Sequence, residues 1–274
     1  MCTCCKSGSA IGGRRRGAAG AAALLPGLLA AGPARQCSNR AMVQHRRRFI
    51  VAGAGWVAAF AAAALPLPAL ASSRRVMASM TDGPFYPPRR WRAQWSDWDA
   101  DLTLVSEGAQ RHVARGEHLG LALVVADEKG RLIDGAEVEI WQCDTLQHYR
   151  HPNVAREAAE RSQRWDPGFQ GFGLARSNAS GELGFRTIKP VPYPGRTPHI
   201  HVKLRHAAFG EWTSQLFVAA DLGNARDFLW RNVPAEGRPA LEMQLARAPA
   251  AAGSAAAGAP ALSWVARHEL VVPA

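Results

Sequence analysis

The segment Pro192-Tyr193-Pro194-Gly195-Arg196-Thr197-Pro198-His199-Ile200-His201 carries the densest set of chemistry-bearing side chains in the sequence. In a β-strand, residues two apart share a face, so His199 and His201 can offer two imidazoles to one metal ion while Ile200 turns to the opposite side. Taken alone, such a pair is more often a solvated or core pair of histidines than a metal site. Here Pro192, Pro194 and Pro198 stiffen the approach, which fixes where the strand begins and lowers the entropy lost in organising a site. A second segment, Trp141-Gln142-Cys143-Asp144-Thr145-Leu146-Gln147-His148-Tyr149-Arg150-His151-Pro152, reads as a strand ending in a loop that bears Tyr149, and such loops are where binding groups are usually placed. The chain has three tyrosines, Tyr86, Tyr149 and Tyr193, and two of them lie in these two segments. Singly, each reads as a packed side chain with a satisfied hydroxyl. His148 and His151, on either side of Tyr149, read as surface residues, and Asp82 and Asp144 as turn or cap residues.

The elements that must position these groups are short and β-rich. Strand patterns run from His118 to Ala126 and from Ala136 to Cys143, separated by turn chemistry at Gly130 and Asp134-Gly135. A hairpin is expected at Gly173 to Ile188, with SNASG as its turn, followed by strands at His199 to Leu204 and Trp212 to Ala219. Val154 to Gln163 reads as a short helix or helical loop capped by Asn153, Ala225 to Trp230 as a helical excursion, and Leu262 to Val272 as a last strand. TDGPFYPPRRW, from Thr81, reads as an extended arm, and the Ala/Gly/Pro/Ser stretch Ala248 to Pro260 as a flexible surface loop. Close-spaced short strands with few helices predict an all-β, single-domain β-sandwich with few short helices and long active-site loops.

Charge and cysteine usage divide the chain in two. The net charge of +11 suggests a nucleic-acid partner only if it is spread evenly. Residues 1–71 hold nine Lys or Arg and no acidic residue, whereas the remaining 203 residues carry 24 basic and 22 acidic ones, so no nucleic-acid partner is expected. Cys2, Cys4, Cys5 and Cys37 lie in the first part and Cys143 stands alone beyond it, which excludes a disulfide framework for the main domain. From Arg46 the sequence runs through a basic cluster, an uncharged apolar stretch from Phe49 to Leu65, and the small-residue site Ala69-Leu70-Ala71, the layout of a secretory signal. Arg46-Arg47 followed by Phe49-Ile50 resembles a twin-arginine export signal, which carries proteins already folded. The expected organisation is a low-complexity extension over 1–41, a signal peptide over 42–71 and the β-sandwich over 72–274, with periplasmic export and membrane contact only through the signal segment. Translation starting at Met42 would account for the low-complexity stretch ahead of a complete signal.

The ordered motifs TDGPFYPP, DGAEVEIWQCDTLQHYRHP, DPGFQGFG, SGELGFRTIKPVPYP, RTPHIHV and SQLF, spanning roughly Thr81 to Asp221, resemble the intradiol ring-cleavage dioxygenases, the family of protocatechuate 3,4-dioxygenase and catechol 1,2-dioxygenase. The resemblance implies a non-haem ferric iron, Fe(III), bound by Tyr149, Tyr193, His199 and His201. It implies a catechol cleaved by O2 between its hydroxyl-bearing carbons to a cis,cis-muconate-type diacid. Tyr193 corresponds to the ligand that receives a substrate proton, and Arg196 and Gln215 to residues flanking the bound ring. The interval from Tyr193 to His199 is short, and Gly195 stands where protocatechuate enzymes have a tryptophan and a longer insertion. The implied partners are a small aromatic diol and O2, and a homo-oligomer is compatible with the sequence.

Two other classes compete. A non-catalytic transthyretin-like β-sandwich binding module shares the architecture but has no reason to combine these four donors. A different metalloenzyme built on the HxH pair is either a cupin-like ferrous oxygenase or a zinc hydrolase, and a cupin needs a carboxylate a few residues after the histidines. The next acid after His201 is Glu211.

Overall fold

A computed structural model describes residues 74–94, 97–153, 165–249 and 260–274. The extension at 1–41, the signal-like segment at 42–71, the helix expected at Val154 to Gln163 and most of the loop expected at Ala248 to Pro260 lie outside the described residues.

The arm beginning at Arg74 runs without regular structure to one helical turn, α1 (Arg89–Arg92), and a small hairpin of β1 (Leu104–Glu107) and β2 (Gln110–Val113) follows. The strands of the main body are β3 (His118–Asp127), β4 (Glu137–Trp141), β5 (Phe172–Arg176), β6 (Glu182–Ile188), β7 (His199–His206) and β8 (Gly210–Val218). A short helix, α2 (Phe228–Asn232), precedes the strand pieces β9 (Glu242–Met243) and β10 (Ala246–Arg247), and β11 (Trp264–Val272) completes the set. They form a four-stranded sheet in the order β10-β11-β3-β6 and a five-stranded sheet in the order β5-β4-β7-β8-β9. The expected β-sandwich with few short helices is the fold observed.

Alternation along the strands explains the layering. Leu119, Leu121, Leu123 and Val125 of β3 join Val138 and Ile140 of β4 and Ile200, Val202 and Leu204 of β7 in one buried cluster between the sheets. Each such side chain contributes about 1.5–3 kcal/mol by leaving water. The other face of β7 carries His199, His201 and Lys203, which are also buried, because the arm folds across the outside of the five-stranded sheet. β7 alternates polar and apolar residues as a half-exposed strand does, yet its polar face is buried as well.

The hairpin expected at Gly173 to Ile188 is not one. β5 and β6 lie in different sheets, as do β3 and β4, so both connections arch over the sandwich edge. The turn chemistry is real in each case but serves a crossing. Asp127 Oδ1 accepts from the N–H groups of Lys129 and Arg131, and Gly135, at φ +75°, then redirects the chain. The two arches hydrogen-bond to each other: Gly135 N–H donates to Ser177 O and Ser177 N–H to Ala136 O, both at 3.0 Å. Ser177 Oγ accepts from Ala136 N–H at 2.9 Å and donates to Ile133 O at 2.6 Å. Partners found in the neighbouring arch replace the ladder a hairpin would have supplied.

Candidate metal centre and active site

Tyr193 and Arg196 are set by a turn read directly from the sequence. In Tyr193-Pro194-Gly195-Arg196, proline fixes the second position, Gly195 takes φ +82° at the third, and Arg196 N–H donates to Tyr193 O at 2.8 Å, the pattern of a type II turn. The turn folds Arg196 back beside Tyr193, with Nη1 at 3.4 Å from the phenol oxygen. Thr197 and Pro198 then lead into β7, where His199 and His201 share the outer face.

Tyr149 arrives on the loop leaving β4. Asp144 organises that loop: its Oδ1 accepts from Leu146 N–H and His148 N–H, both at 2.9 Å, and its Oδ2 from Asp166 N–H at 2.5 Å. Asp144 is therefore the turn residue expected. Asp82 instead pairs with Lys203 Nζ at 2.5 Å and accepts from Thr213 Oγ1 at 2.8 Å, fastening the arm to the sheet. His151 departs from expectation. It is 5% exposed, not a surface residue, because Phe85 of the arm packs edge-on against it with ring centroids 5.8 Å apart.

The structure brings all four candidate donors together. Tyr149 Oη lies 3.4 Å from His199 Nε2. Ring centroids are 4.9 Å apart for His199 and His201, 5.5 Å for Tyr193 and His199, 5.8 Å for Tyr149 and Tyr193, and 6.1 Å for Tyr149 and His201. Arg196 Nη2 donates to Gln215 Oε1 at 2.5 Å, and Gln215 sits opposite His201 on β8. All six candidate residues thus form one cluster at one end of the outer face.

Burial sets the protonation states. It pushes the His199 imidazole down to about 4, helped by the nearby Arg196 charge. It pushes His201 well below the ordinary imidazole range, with His199 and Arg196 adding to the effect. Both rings are therefore neutral near pH 7, the form that donates a lone pair. His199 Nδ1 lies 2.6 Å from the carbonyl oxygen of Thr197, which can only accept, so the proton sits on Nδ1 and Nε2 is free. Tyr149, 3% exposed, has its hydroxyl pushed well above the usual phenol range by burial and by Tyr193. Burial and Asp144 lift the Cys143 thiol to about 12, which leaves this cysteine inert.

The family profile described as Dioxygenase matches residues 82–248, a span that contains all six residues. The chain belongs to the intradiol dioxygenase family. It is 32% identical over 155 residues to the protocatechuate 3,4-dioxygenase beta chain of Burkholderia cepacia, a match covering 52% of this chain and 61% of that one. Hydroxyquinol 1,2-dioxygenase from Pseudomonas putida DLL-E4 shares the fold at a TM-score of 0.51 and 18% identity, over 74% of this chain and 68% of that one. An intradiol ring-cleavage dioxygenase from Tetranychus urticae does so at 0.51 and 19%, over 73% and 95%.

The donor set of this intradiol dioxygenase family member fits a metal cation. Two phenols and two neutral imidazoles converge, and His201 Nδ1 is buried with no hydrogen-bond partner among the described residues. A cation among them would favour the phenolates that burial alone disfavours. No group of three or more His, Cys, Asp or Glu side chains is arranged for a metal among the described residues, so a metal here requires the tyrosines.

The sequence reading assigned no role to several residues that hold this cluster. Trp141 stacks on His201 at 4.7 Å with planes 13° apart, and Tyr86 meets Trp141 edge-on at 4.9 Å. Tyr86 Oη donates to Glu139 at 2.5 Å and accepts from Arg205 at 2.9 Å, and Arg92 pairs with Glu139, which pins the arm over the sheet. Asp227, whose position before Phe228-Leu229-Trp230 signals a helix cap, also pairs with Arg196 at 2.8 Å.

Proposed function

We propose that the protein is a non-haem ferric iron dioxygenase that opens a catechol-type ring between its two hydroxyl-bearing carbons, incorporating both atoms of O2 to give a cis,cis-muconate-type diacid. The observation that carries this reading is the approach of Tyr149 Oη to His199 Nε2 at 3.4 Å, with Tyr193 and His201 completing the cage. These four residues would hold the iron. When bound, it would supply a Lewis-acidic centre that lowers the pKa of the hydroxyls of a chelating catechol and prepares the ring for O2. Phenolate and imidazole suit iron, and two anionic oxygens favour the ferric state.

The protein groups divide the remaining work. Tyr149 is buried beneath Phe85 and serves as a fixed anchor. Tyr193 is only partly buried and stands on a turn, so its oxygen is the one placed to move and receive a substrate proton. Arg196 stays cationic and faces the negative charge that develops on the substrate. Gln215 Oε1 holds Arg196, and its Nε2 is buried without a partner among the described residues, leaving a donor for the bound ring. At Gly195 nothing lies within 4 Å of where a side chain would begin, so the space that a tryptophan fills in protocatechuate enzymes is open.

Export to the periplasm by the twin-arginine route is part of the same proposal, supported by Arg46-Arg47 and Phe49-Ile50, and fractionation of cells producing the full chain tests it. For the chemistry, the test is the visible spectrum of iron-loaded protein before and after catechol is added without O2. A red-brown tyrosinate-to-iron band that shifts with catechol is expected. A folded protein that stays colourless and holds no iron would overturn the reading in favour of a binding module.

A further inference from the structure

Arg196 is held on four sides. Its Nε donates to Asp227 Oδ2 at 2.8 Å, its Nη2 to Gln215 and its Nη1 to Tyr193, and the Phe228 ring lies 5.6 Å from its Cζ. The Asp227 side chain is fully buried, and its two oxygens serve different purposes. Oδ1 accepts from Leu229 N–H at 2.9 Å and Trp230 N–H at 3.2 Å, which caps α2. Oδ2 accepts from Arg196 Nε–H and from Thr197 N–H at 3.0 Å. The carbonyl of Thr197 in turn receives the Nδ1 proton of His199. One carboxylate oxygen therefore fixes the plane of the guanidinium and the residue whose carbonyl sets the His199 tautomer.

We propose that Asp227 is a positioning residue for the reaction, coupling the orientation of Arg196 to that of His199 through the Thr197 backbone. A helix cap needs only Oδ1, and serine, threonine or asparagine would serve as well. What those residues lack is a second acceptor for two converging donors. Asp227→Asn keeps an oxygen on the cap but turns an NH2 group toward Arg196 Nε–H and Thr197 N–H, or reverses and gives up the cap. Holding reacting groups in a productive geometry is worth large factors in rate, and a displacement of about 1 Å can cost about a hundredfold.

The inference rests on the ring-cleavage reading, and a double-mutant cycle tests it on iron-loaded full chain: wild type, Asp227→Asn, Arg196→Ala and the pair. With catechol, Asp227→Asn is expected to retain iron, to lose about a hundredfold in kcat and to change KM less than threefold. The pair is expected to lose less than the product of the two single losses, because the part of the Asp227 effect that runs through Arg196 is already gone while the part that runs through Thr197 and His199 remains. Losses that multiply in the pair would overturn the coupling of Asp227 to Arg196. Asp227→Ser, which keeps the cap with a smaller side chain, repeats the comparison if the asparagine variant does not fold. A second readout needs neither iron nor turnover: nitrogen NMR of the metal-free protein should show a single Nδ1-protonated tautomer of His199 and slow exchange of Arg196 Nε–H. Both should be lost in Asp227→Asn. If the wild type turns over no catechol, the ring-cleavage reading fails, while persistence of these two signals in the variant would overturn the positioning role separately.

Discussion

Phe85 lies flat on Tyr149, with ring centroids 4.8 Å apart and planes 13° from parallel. The contact joins the arm to the loop that leaves β4 and keeps water off the deeper of the two phenols. Stacked aromatic pairs contribute about 0.5–1.5 kcal/mol beyond their buried area. Phe85→Ala is expected to lower stability by about 1–3 kcal/mol, read from denaturant midpoints, and to speed the release of iron to a chelator. An unchanged release rate would remove Phe85 as a cover for the site.

Tyr149→Phe and His199→Ala each take one donor from the cage while leaving its walls in place. Both are expected to lose turnover and most bound iron, measured by metal analysis alongside O2 uptake. Full iron occupancy with normal activity in either variant is incompatible with the ligand assignment.

Arg196→Ala removes a charge that makes no contact with the inner donors except at Tyr193. Iron content should stay at the wild-type level while the barrier to turnover rises by about 2–4 kcal/mol, as for loss of one preorganised donor. Steady-state kinetics with matched iron loading checks this, and an unaltered rate would take Arg196 out of the mechanism.

Gly195→Ala isolates the turn. A Cβ there would meet nothing within 4 Å, so its whole effect comes from forcing φ +82° on a residue that resists it. The expected destabilisation is about 1–2 kcal/mol. Turnover should fall too, because Arg196 and Tyr193 are placed by the same turn. Thermal melting and kinetics on one preparation separate the two effects.

Asp99 supplies a pH test remote from the metal cage. Burial lifts its carboxyl to about 6, against the pull of the Asp101 N–H that it accepts at 2.7 Å. Between 3.8, its ordinary value, and about 6 the folded chain holds the extra proton, so this residue's contribution to stability falls as pH rises through that window and stays low above it. Asp99→Asn keeps an acceptor for Asp101 and removes the charge. It should gain about 1–2 kcal/mol near neutral pH and nothing below about pH 4, in urea titrations at the two pH values.

The sequence made the local features of the site legible and left the distant ones dark. Two histidines one residue apart on a strand follow from the period of two, and Pro194-Gly195 specifies its turn unaided. That Tyr149 and Tyr193 meet is not written in their spacing and came only from the family motifs. The arches were misread because Asp127, Gly130, Asn178 and Gly181 use the same turn chemistry whether the chain returns along one sheet or crosses to the other. What decides is the partner found afterwards, Ser177 for Gly135, which lies far along the chain. The hairpin of β1 and β2 went unforeseen because β2, Gln110–Val113, is polar and largely exposed and shows no buried face. The link from Asp227 to Arg196 was hidden because the helical excursion expected over Ala225 to Trp230 ran through Asp227, whereas the helix starts only at Phe228.

β11 runs parallel to β3 in the interior of the four-stranded sheet, with Trp264 opposite Leu119 and Val272 opposite Asp127. This pairing gives the chain a high contact order, since two strands separated by most of the domain must find each other before either is protected. Until Trp264–Val272 has docked, β3 offers an unpaired, strongly apolar edge, the kind of surface on which newly made chains aggregate. β11 is thus the strand that covers this edge of β3, and a chain cut short before Trp264 should fail in folding yield well before it fails in chemistry.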